Sequence, residues 1–289
     1  MKDFEQIYNN IYSKYKDRAE EINNNQKEIT KQALLKVLGI IIMIAIIFTI
    51  LILKTNNIEL LVLLCPVPGL LFIYYRILKG KKISTTITPN IHILEEIYST
   101  LISEGFEGLE YSGYKKGISE ETYNKGKYEK YQKFDSEAEI EGVLNNKNEI
   151  KLSYVATSWR DINRYDSHIY RGRIHYIFRG YFLEAELNKS TKLQIKINEK
   201  NIKYLDNQVL NEDINKIAQN IQIILKQFKE SNKMASDVTI CDDKMYIRIS
   251  TNVFDYNKSN DIINKDSLEK YYNGITEILN LTDKIIRII

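Results

Sequence analysis

Arginine residues are concentrated in residues 159–179, a stretch that also contains the only tryptophan. Five of the nine arginines fall there, although lysine provides 32 of the 41 basic residues. The planar guanidinium of arginine binds phosphate or carboxylate through two parallel hydrogen bonds and stacks on aromatic rings. We predict a patch that binds an anion, such as lipid headgroups, or a partner protein: Trp159, Arg160, Arg164, Arg171, Arg173 and Arg179. The alternative is a solvated loop whose arginines pair with Asp161, Asp166 and Glu184.

Three glutamates, Glu137, Glu139 and Glu141, alternate with apolar residues along one predicted strand. Two carboxyl groups in a cleft can serve as general acid and base when their surroundings raise the pKa of one of them. These residues would suit a membrane-associated enzyme that acts on lipid or anionic substrates. The alternative, which we favour, is one solvated face of an exposed strand.

The chain lacks the common catalytic and cofactor motifs. The phosphate-loop, dinucleotide-binding, zinc-protease and serine-hydrolase signatures are missing. The histidines His92, His168 and His175 match no regular ligand spacing, and Cys65 and Cys241 are too few for a disulfide framework or a zinc site. We expect no cofactor and no metal, and a binding or scaffold module rather than an enzyme.

Length and charge set broad limits. The 289 residues leave about 200 for a soluble portion once a leader and a membrane anchor are subtracted, which is enough for one domain. The net charge of +3 comes from 41 basic and 38 acidic residues, so the overall charge gives no indication of nucleic-acid binding.

Two apolar runs predict a transmembrane helical hairpin over residues 34–78. Residues 37–53 carry no charge, and with two leucines before them they reach about 20 residues, the length that crosses the hydrocarbon core. A second run, residues 60–75, returns after a short polar turn. Because Pro66 and Pro68 interrupt it, this second arm could also be short or re-entrant. The alternative for both runs is a buried helical pair in a soluble core.

Basic residues flank the predicted hairpin on one side. Seven lie before the first run or after the second, whereas the turn between them contains Lys54 alone: Lys27, Lys31, Lys36, Arg76, Lys79, Lys81 and Lys82. Cytoplasmic flanks carry the excess of lysine and arginine in membrane proteins. We therefore expect a multi-pass protein of the inner (plasma) membrane, with both termini in the cytoplasm.

Residues 1–33 predict an amphipathic cytoplasmic helix, because apolar residues recur there at steps of three and four. This apolar stripe either packs on the chain's own domain or the membrane surface, or forms a coiled coil that makes a homo-oligomer. Residues 79–89 predict a juxtamembrane linker that touches anionic headgroups, followed by a helix whose N-cap is Asn90 and whose end is Gly105.

Residues 90–289 predict a cytoplasmic α+β domain with an antiparallel sheet and an amphipathic helix on each side of it. Period-two alternation indicates a hairpin over residues 137–156 and a second one over residues 238–249. A long strand over residues 173–187 is expected to bulge or bend at Gly180. Residues 105–130, rich in glycine and tyrosine, predict a mobile connection that carries short extended pieces.

Several short aromatic motifs resemble those of a bacterial membrane-anchored family, domain of unknown function 3137. They are Phe134-Asp135-Ser136-Glu137-Ala138-Glu139-Ile140-Glu141-Gly142, Ile177-Phe178-Arg179-Gly180-Tyr181-Phe182, Glu186-Leu187-Asn188-Lys189, and Met245 to Ser250 with Val253-Phe254-Asp255. The resemblance implies an N-terminal helix, a two-span anchor and a cytoplasmic α+β domain. It implies no catalytic residues.

Overall fold

The structure, a computed structural model, describes residues 3–55, 67–145, 147–160, 173–187, 191, 193–205, 212–251 and 263–289. The helices are α1 (Phe4–Thr55), α2 (Val67–Gly105), α3 (Glu120–Lys125), α4 (Glu212–Asn232) and α5 (Lys265–Ile286). The strands are β1 (Leu109–Gly113), β2 (Lys133–Leu144), β3 (Asn148–Arg160), β4 (Ile174–Glu186), β5 (Gln194–Asn198), β6 (Ile202–Tyr204), β7 (Ser236–Cys241) and β8 (Lys244–Ser250). The predicted α+β class is confirmed.

The chain divides into two units. The sheet unit comprises Met1–Ile11, Ile97–Lys258 and Asn264–Ile289, and the helical unit comprises Tyr12–Glu96 and Ser259–Ile263. Helices α1 and α2 each contribute to both units. Within the helical unit, the guanidinium of Arg18 on α1 donates two hydrogen bonds to the carboxylate of Glu96 on α2, at 2.7 and 3.2 Å.

Helix α1 is the one described helix that is long and apolar enough to cross a membrane, over Phe4–Ile47, as judged by length and composition. Only 11% of its most apolar stretch is buried. The turn and the first part of the second apolar run, residues 56–66, lie outside the described residues, so the two-span hairpin stays a prediction.

Helix α2 includes the residues of the predicted linker. Residues 79–89 are helical, and α2 continues without interruption through Pro89 and Asn90. The predicted helix start at Asn90 is therefore wrong, whereas the end at Gly105 is confirmed. Proline normally ends or kinks a helix, which is why Pro89 indicated a boundary, but the wider structure can override such a local propensity.

One eight-stranded sheet forms the centre of the sheet unit, in the order β1-β2-β3-β4-β8-β7-β5-β6. All neighbouring strands are antiparallel, and the two predicted hairpins are confirmed as β2–β3 and β7–β8. The bulge predicted at Gly180 is wrong, because Gly180 pairs in register with Val155 and Ser250. The irregularity lies instead between Thr157 and Ser158.

Helices α4 and α5 contact each other and lie on the same face of the sheet, which we call the helix face. The aligned side chains of Tyr154, Tyr181 and Ile249 belong to this face, since directly paired residues in antiparallel strands point the same way. A Cβ built on Gly274 of α5 would lie 3.9 Å from the hydroxyl of Tyr181. The prediction placed an amphipathic helix on each side of the sheet, whereas both long amphipathic helices, α4 and α5, lie on one face and the short α3 lies on the other.

The opposite face, which we call the polar face, is partly covered by residues 114–132. Tyr123 of α3 is only 1% exposed and packs against Phe178, Phe182 and Tyr246 of the sheet. The prediction for residues 105–130 was a mobile connection with short extended pieces: an extended piece is present as β1, but the rest packs on the sheet. Its glycines suggested a loop, but its tyrosines supply large apolar rings that are stabilised by burial.

The start of α1 packs on the chain's own sheet unit. The ring of Phe4 lies 5.6 Å from that of Tyr272 on α5, and Ile7 and Ile11 are fully buried. For these residues, packing on the chain's own domain is the alternative that the contacts support. A coiled coil between protomers stays a prediction.

Replacing Gly180 with alanine should destabilise the sheet unit by about 1–3 kcal/mol, the cost typical of overpacking. A Cβ there would lie 2.0 Å from the carbonyl oxygen of Ile249, which belongs to the backbone of the adjacent strand and cannot move aside. Urea unfolding of the full chain in nonionic detergent, followed by circular dichroism, measures the change.

The matched control is Gly274→Ala, because Gly274 lies in α5 and a methyl group there meets only ordinary van der Waals contact. It should stabilise the helix by about 0.5–1 kcal/mol. Equal midpoints for the two variants would contradict the close approach of β8 to Gly180.

Candidate functional site

The polar face of the sheet is organised around Arg248 of β8, whose side chain is only 10% exposed. Its Nε and Nη2 atoms donate hydrogen bonds of 2.9 and 2.7 Å to Oδ2 of Asp237 on β7, and its Nη1 atom donates one of 2.7 Å to Glu129. The guanidinium lies 4.1 Å from the ring centroid of Tyr128. We call Tyr128, Glu129, Asp237 and Arg248 the Arg248 cluster.

Residues 126–129, which we call the crossing segment, run over the polar face directly after α3. The N-cap Ser119 accepts a hydrogen bond from the backbone N–H of Thr122 and so fixes where α3 begins. The hydroxyl of Thr239 on β7 donates to the carbonyl of Gly126 at 3.0 Å, and Nζ of Lys196 on β5 donates to the carbonyl of Lys127 at 3.2 Å. The crossing segment is thus bound to β5, β7 and β8.

The Arg248 cluster shifts the pKa values of its two carboxyl groups in opposite directions. The hydrogen bond from Arg248 lowers the pKa of Glu129 to about 2. Burial raises the pKa of Asp237, although the charge and hydrogen bonds of Arg248 oppose the increase. The second oxygen of Asp237, Oδ1, is buried and accepts no hydrogen bond from the described residues.

A pocket of about 500 Å³ lies on the outer strands of the polar face, next to the crossing segment. We call it the lysine pocket, and its lining includes Lys127, Lys196, Asn198, Asn201, Lys203 and Tyr204. Burial lowers the pKa of the Lys196 ammonium, and the charges of Arg248 and Lys203 lower it further, while Asp237 and Glu129 act against them. Removing Lys196 from water and placing it near other cations disfavours its charged form.

A second cleft, of about 360 Å³, lies where β2, β3, β4 and β8 meet. It contains Glu141, Glu184, Glu186 and two lysines, and Lys244 forms ion pairs of 2.9 and 3.1 Å with Glu184 and Glu186. In the part of the chain that the structure describes, no group of three or more His, Cys, Asp or Glu residues could hold a metal ion.

The prediction that Glu137, Glu139 and Glu141 share one strand face is wrong. Glu137 pairs with Tyr154 and Glu141 with Lys151, which belong to opposite faces of the sheet. An irregularity between Glu137 and Ile140 separates them, with Ala138 at a positive φ of 59°. Burial and the nearby charge of Glu141 raise the pKa of Glu139.

The structure describes four of the six residues of the predicted arginine patch. Trp159 and Arg160 at the end of β3 lie opposite the start of β4, close to Arg173, and the indole stacks on the ring of His175 at 4.6 Å. Arg179 lies farther along β4, where its Nε atom donates to the hydroxyl of Tyr154 at 2.7 Å. Arg164, Arg171 and His168 lie outside the described residues, as do Asp161 and Asp166, and Glu184 pairs with Lys244.

The Arg248 cluster and the lysine pocket were missed from the sequence. Arg248 is a single arginine within an alternating strand, and Lys196 and Lys203 resemble the many surface lysines of this chain. The sequence did contain one signal. In each strand polar and apolar residues alternate, so Lys196 and Arg248 point to the face opposite that of the neighbouring isoleucines. The sequence did not indicate that β5 and β8 lie only one strand apart.

Comparisons of the chain with family models, with curated proteins and with solved structures find no match. The resemblance to the membrane-anchored family therefore stays a prediction, and the site is interpreted from its own geometry.

The ion pair between Glu129 and Arg248 should stabilise the sheet unit in a pH-dependent way. Because the folded-state pKa of Glu129, about 2, is below its ordinary value of 4.5, its contribution is complete above pH 4.5 and is lost as the pH falls towards 2. The carboxylate is more than half exposed, so we expect Glu129→Gln to cost only about 0.5–1 kcal/mol at pH 7.

The stability difference between Glu129→Gln and the unmodified chain is measured from their urea unfolding midpoints, in nonionic detergent at pH 7, 4 and 2. The control is Glu121→Gln, because Glu121 pairs with Lys125 at a largely exposed site. A difference between Glu129→Gln and the unmodified chain that persists unchanged to pH 2 would contradict the pairing.

Proposed function

We propose that this chain is a membrane-tethered module whose sheet unit binds a partner at the cytoplasmic surface of the inner membrane, without catalytic activity. The observation that supports it most is the apolar surface of α1. Among the side chains of α1 whose exposure the structure describes, nine large apolar ones are each more than half exposed: Leu34, Leu35, Leu38, Ile42, Met43, Ile46, Ile47, Ile50 and Leu53.

Water is a poor solvent for such a surface. Transfer of one Leu, Ile or Met side chain from water into an apolar environment is worth about 1.5–3 kcal/mol, and soluble monomers rarely expose large contiguous apolar patches. A bilayer would supply the apolar environment for all nine residues at once. Lipid therefore accounts for the exposure of α1 better than solvent does.

The second part of the proposal is a two-span hairpin with both termini in the cytoplasm. The basic flanks of the two apolar runs favour this orientation. The hydrogen bonds between Arg18 and Glu96 support it, because they join a residue that precedes the first apolar run to one that follows the second. Loss of either side chain would remove this connection within the helical unit.

The third part of the proposal is that the sheet unit acts by binding. Tethering would raise its effective concentration towards other membrane components. The arginine patch near Trp159 would contact anionic headgroups or an acidic protein surface, and the N-terminal helix would supply any contact between protomers. A membrane-associated enzyme is the less favoured proposal, because the three glutamates that suggested it do not share one face.

Two lysines placed in the apolar part of α1 should release the protein from the membrane. Each charge at the centre of a spanning helix costs about 3 kcal/mol, so Ile42→Lys/Ile46→Lys should move the chain from the carbonate-resistant membrane pellet to the soluble or aggregated fraction. The control, Asn24→Lys/Asn25→Lys, adds the same charge to the exposed polar part of the same helix and should remain in the pellet. An unmodified chain that stays in solution without detergent would refute the anchoring.

Protease treatment tests the proposed orientation. In intact spheroplasts, external protease should leave the sheet unit uncut, and disruption of the membrane should make it accessible. Digestion of residues 97–289 in intact spheroplasts would contradict the cytoplasmic location.

A further inference from the structure

The lysine pocket is a concave and strongly cationic part of the polar face. Its three lysines come from separate segments: Lys127 from the crossing segment, Lys196 from β5 and Lys203 from β6. Its volume of about 500 Å³ is typical of sites that hold a small organic ligand. A flat membrane or protein surface would not require such a concavity.

Three carboxylates near this pocket are bound to cations other than Lys196 and Lys203. Asp237 and Glu129 both accept hydrogen bonds from Arg248, and Glu199 pairs with Lys229 at 2.6 Å. Among the described residues, no carboxylate forms an ion pair with Lys196 or Lys203. The ammonium of Lys196 instead lies 4.3 Å from the ring centroid of Tyr128 and donates to a backbone carbonyl.

The polar residues of the pocket are held in place by the turn between β5 and β6. The side-chain oxygen of Asn198 accepts hydrogen bonds from the backbone N–H groups of Lys200 and Asn201, at 2.9 and 2.8 Å. Tyr204 lines the pocket from the end of β6, but its side chain points to the helix face, where its hydroxyl donates to the side chain of Asn215 on α4. The pocket therefore presents a fixed amide beside ammonium groups that come from separate segments.

We propose that the lysine pocket binds a small molecule with two or more phosphate groups, on the scale of a nucleoside diphosphate, through Lys127, Lys196 and Lys203. Lysine binds phosphate as a point charge, and several ammonium groups suit a ligand with several negative charges. The inference goes beyond the proposed function, because it assigns a second site, on different strands from the arginine patch, that does not depend on the membrane anchor.

Lysine-reactivity footprinting tests this site in the full chain. In nonionic detergent at fixed ionic strength, inorganic pyrophosphate and, separately, ADP are titrated before brief amine acylation and mass spectrometry. Saturable protection of Lys196 and Lys203 is expected, while Lys200 in the same turn and Lys151 in the other cleft stay reactive.

The affinity for pyrophosphate is then compared by calorimetry between variants of equal net charge. Lys196→Ser/Lys203→Ser should weaken binding by about tenfold or more for each lysine, since a hydrogen bond to a charged group contributes about 1.5–3 kcal/mol. Lys200→Ser/Lys151→Ser should change it by less than about twofold, because neither residue lines the pocket. If the first double variant does not fold, Lys203→Ser, which removes a single exposed side chain, provides the comparison.

A third arm distinguishes a free ligand from a lipid headgroup. The chain is placed in phosphatidylcholine nanodiscs with or without phosphatidic acid, and acylation is measured without added pyrophosphate. Protection of Lys196 and Lys203 only with phosphatidic acid would overturn the proposal, because it would assign a lipid headgroup with a single phosphate in place of a soluble ligand with two or more. Protection by soluble pyrophosphate assigns a free ligand. Protection by neither, or equal weakening in both double variants, would overturn the site.

Discussion

The burial of one guanidinium, that of Arg248, is the constraint on which the arrangement of the polar face depends. A buried charge is tolerated only when it is paired and hydrogen-bonded. Arg248 donates hydrogen bonds to Asp237 on the neighbouring strand and to Glu129, which lies more than 100 residues earlier in the chain. The ring of Tyr128 covers the same guanidinium. These contacts hold the crossing segment on the sheet and so create one side of the lysine pocket.

The two faces of the sheet illustrate a division of roles. The helix face is closed by α4 and α5 and supplies most of the apolar core, with Ile195, Ile197 and Ile247 fully buried. The polar face is covered by tyrosine rings over its centre, with a cleft lined by charged residues on either side. The same strands supply both faces, because successive side chains along a strand point in opposite directions.

The sequence predicted the elements better than their assembly. The α+β class, both hairpins and the amphipathic character of α4 and α5 follow from apolar periodicity, which depends on nearby residues alone. The placement of the helices on one face, the course of α2 through Pro89 and the burial of Tyr123 depend on residues distant in the sequence. The candidate site was missed for the same reason, because Glu129, Lys196 and Arg248 become neighbours only through the strand order β8-β7-β5 and the crossing segment.

The strand order has a consequence for synthesis on the ribosome. Strand β4 ends at Glu186, and its second neighbour, β8, begins at Lys244, so the meander β1–β4 emerges while the edge that β8 later covers is still open. At about 5–20 residues per second, translation takes several seconds to deliver the missing strand. During that interval the nascent chain exposes unsatisfied backbone amides, a state in which chaperones normally shield sheet edges from other chains.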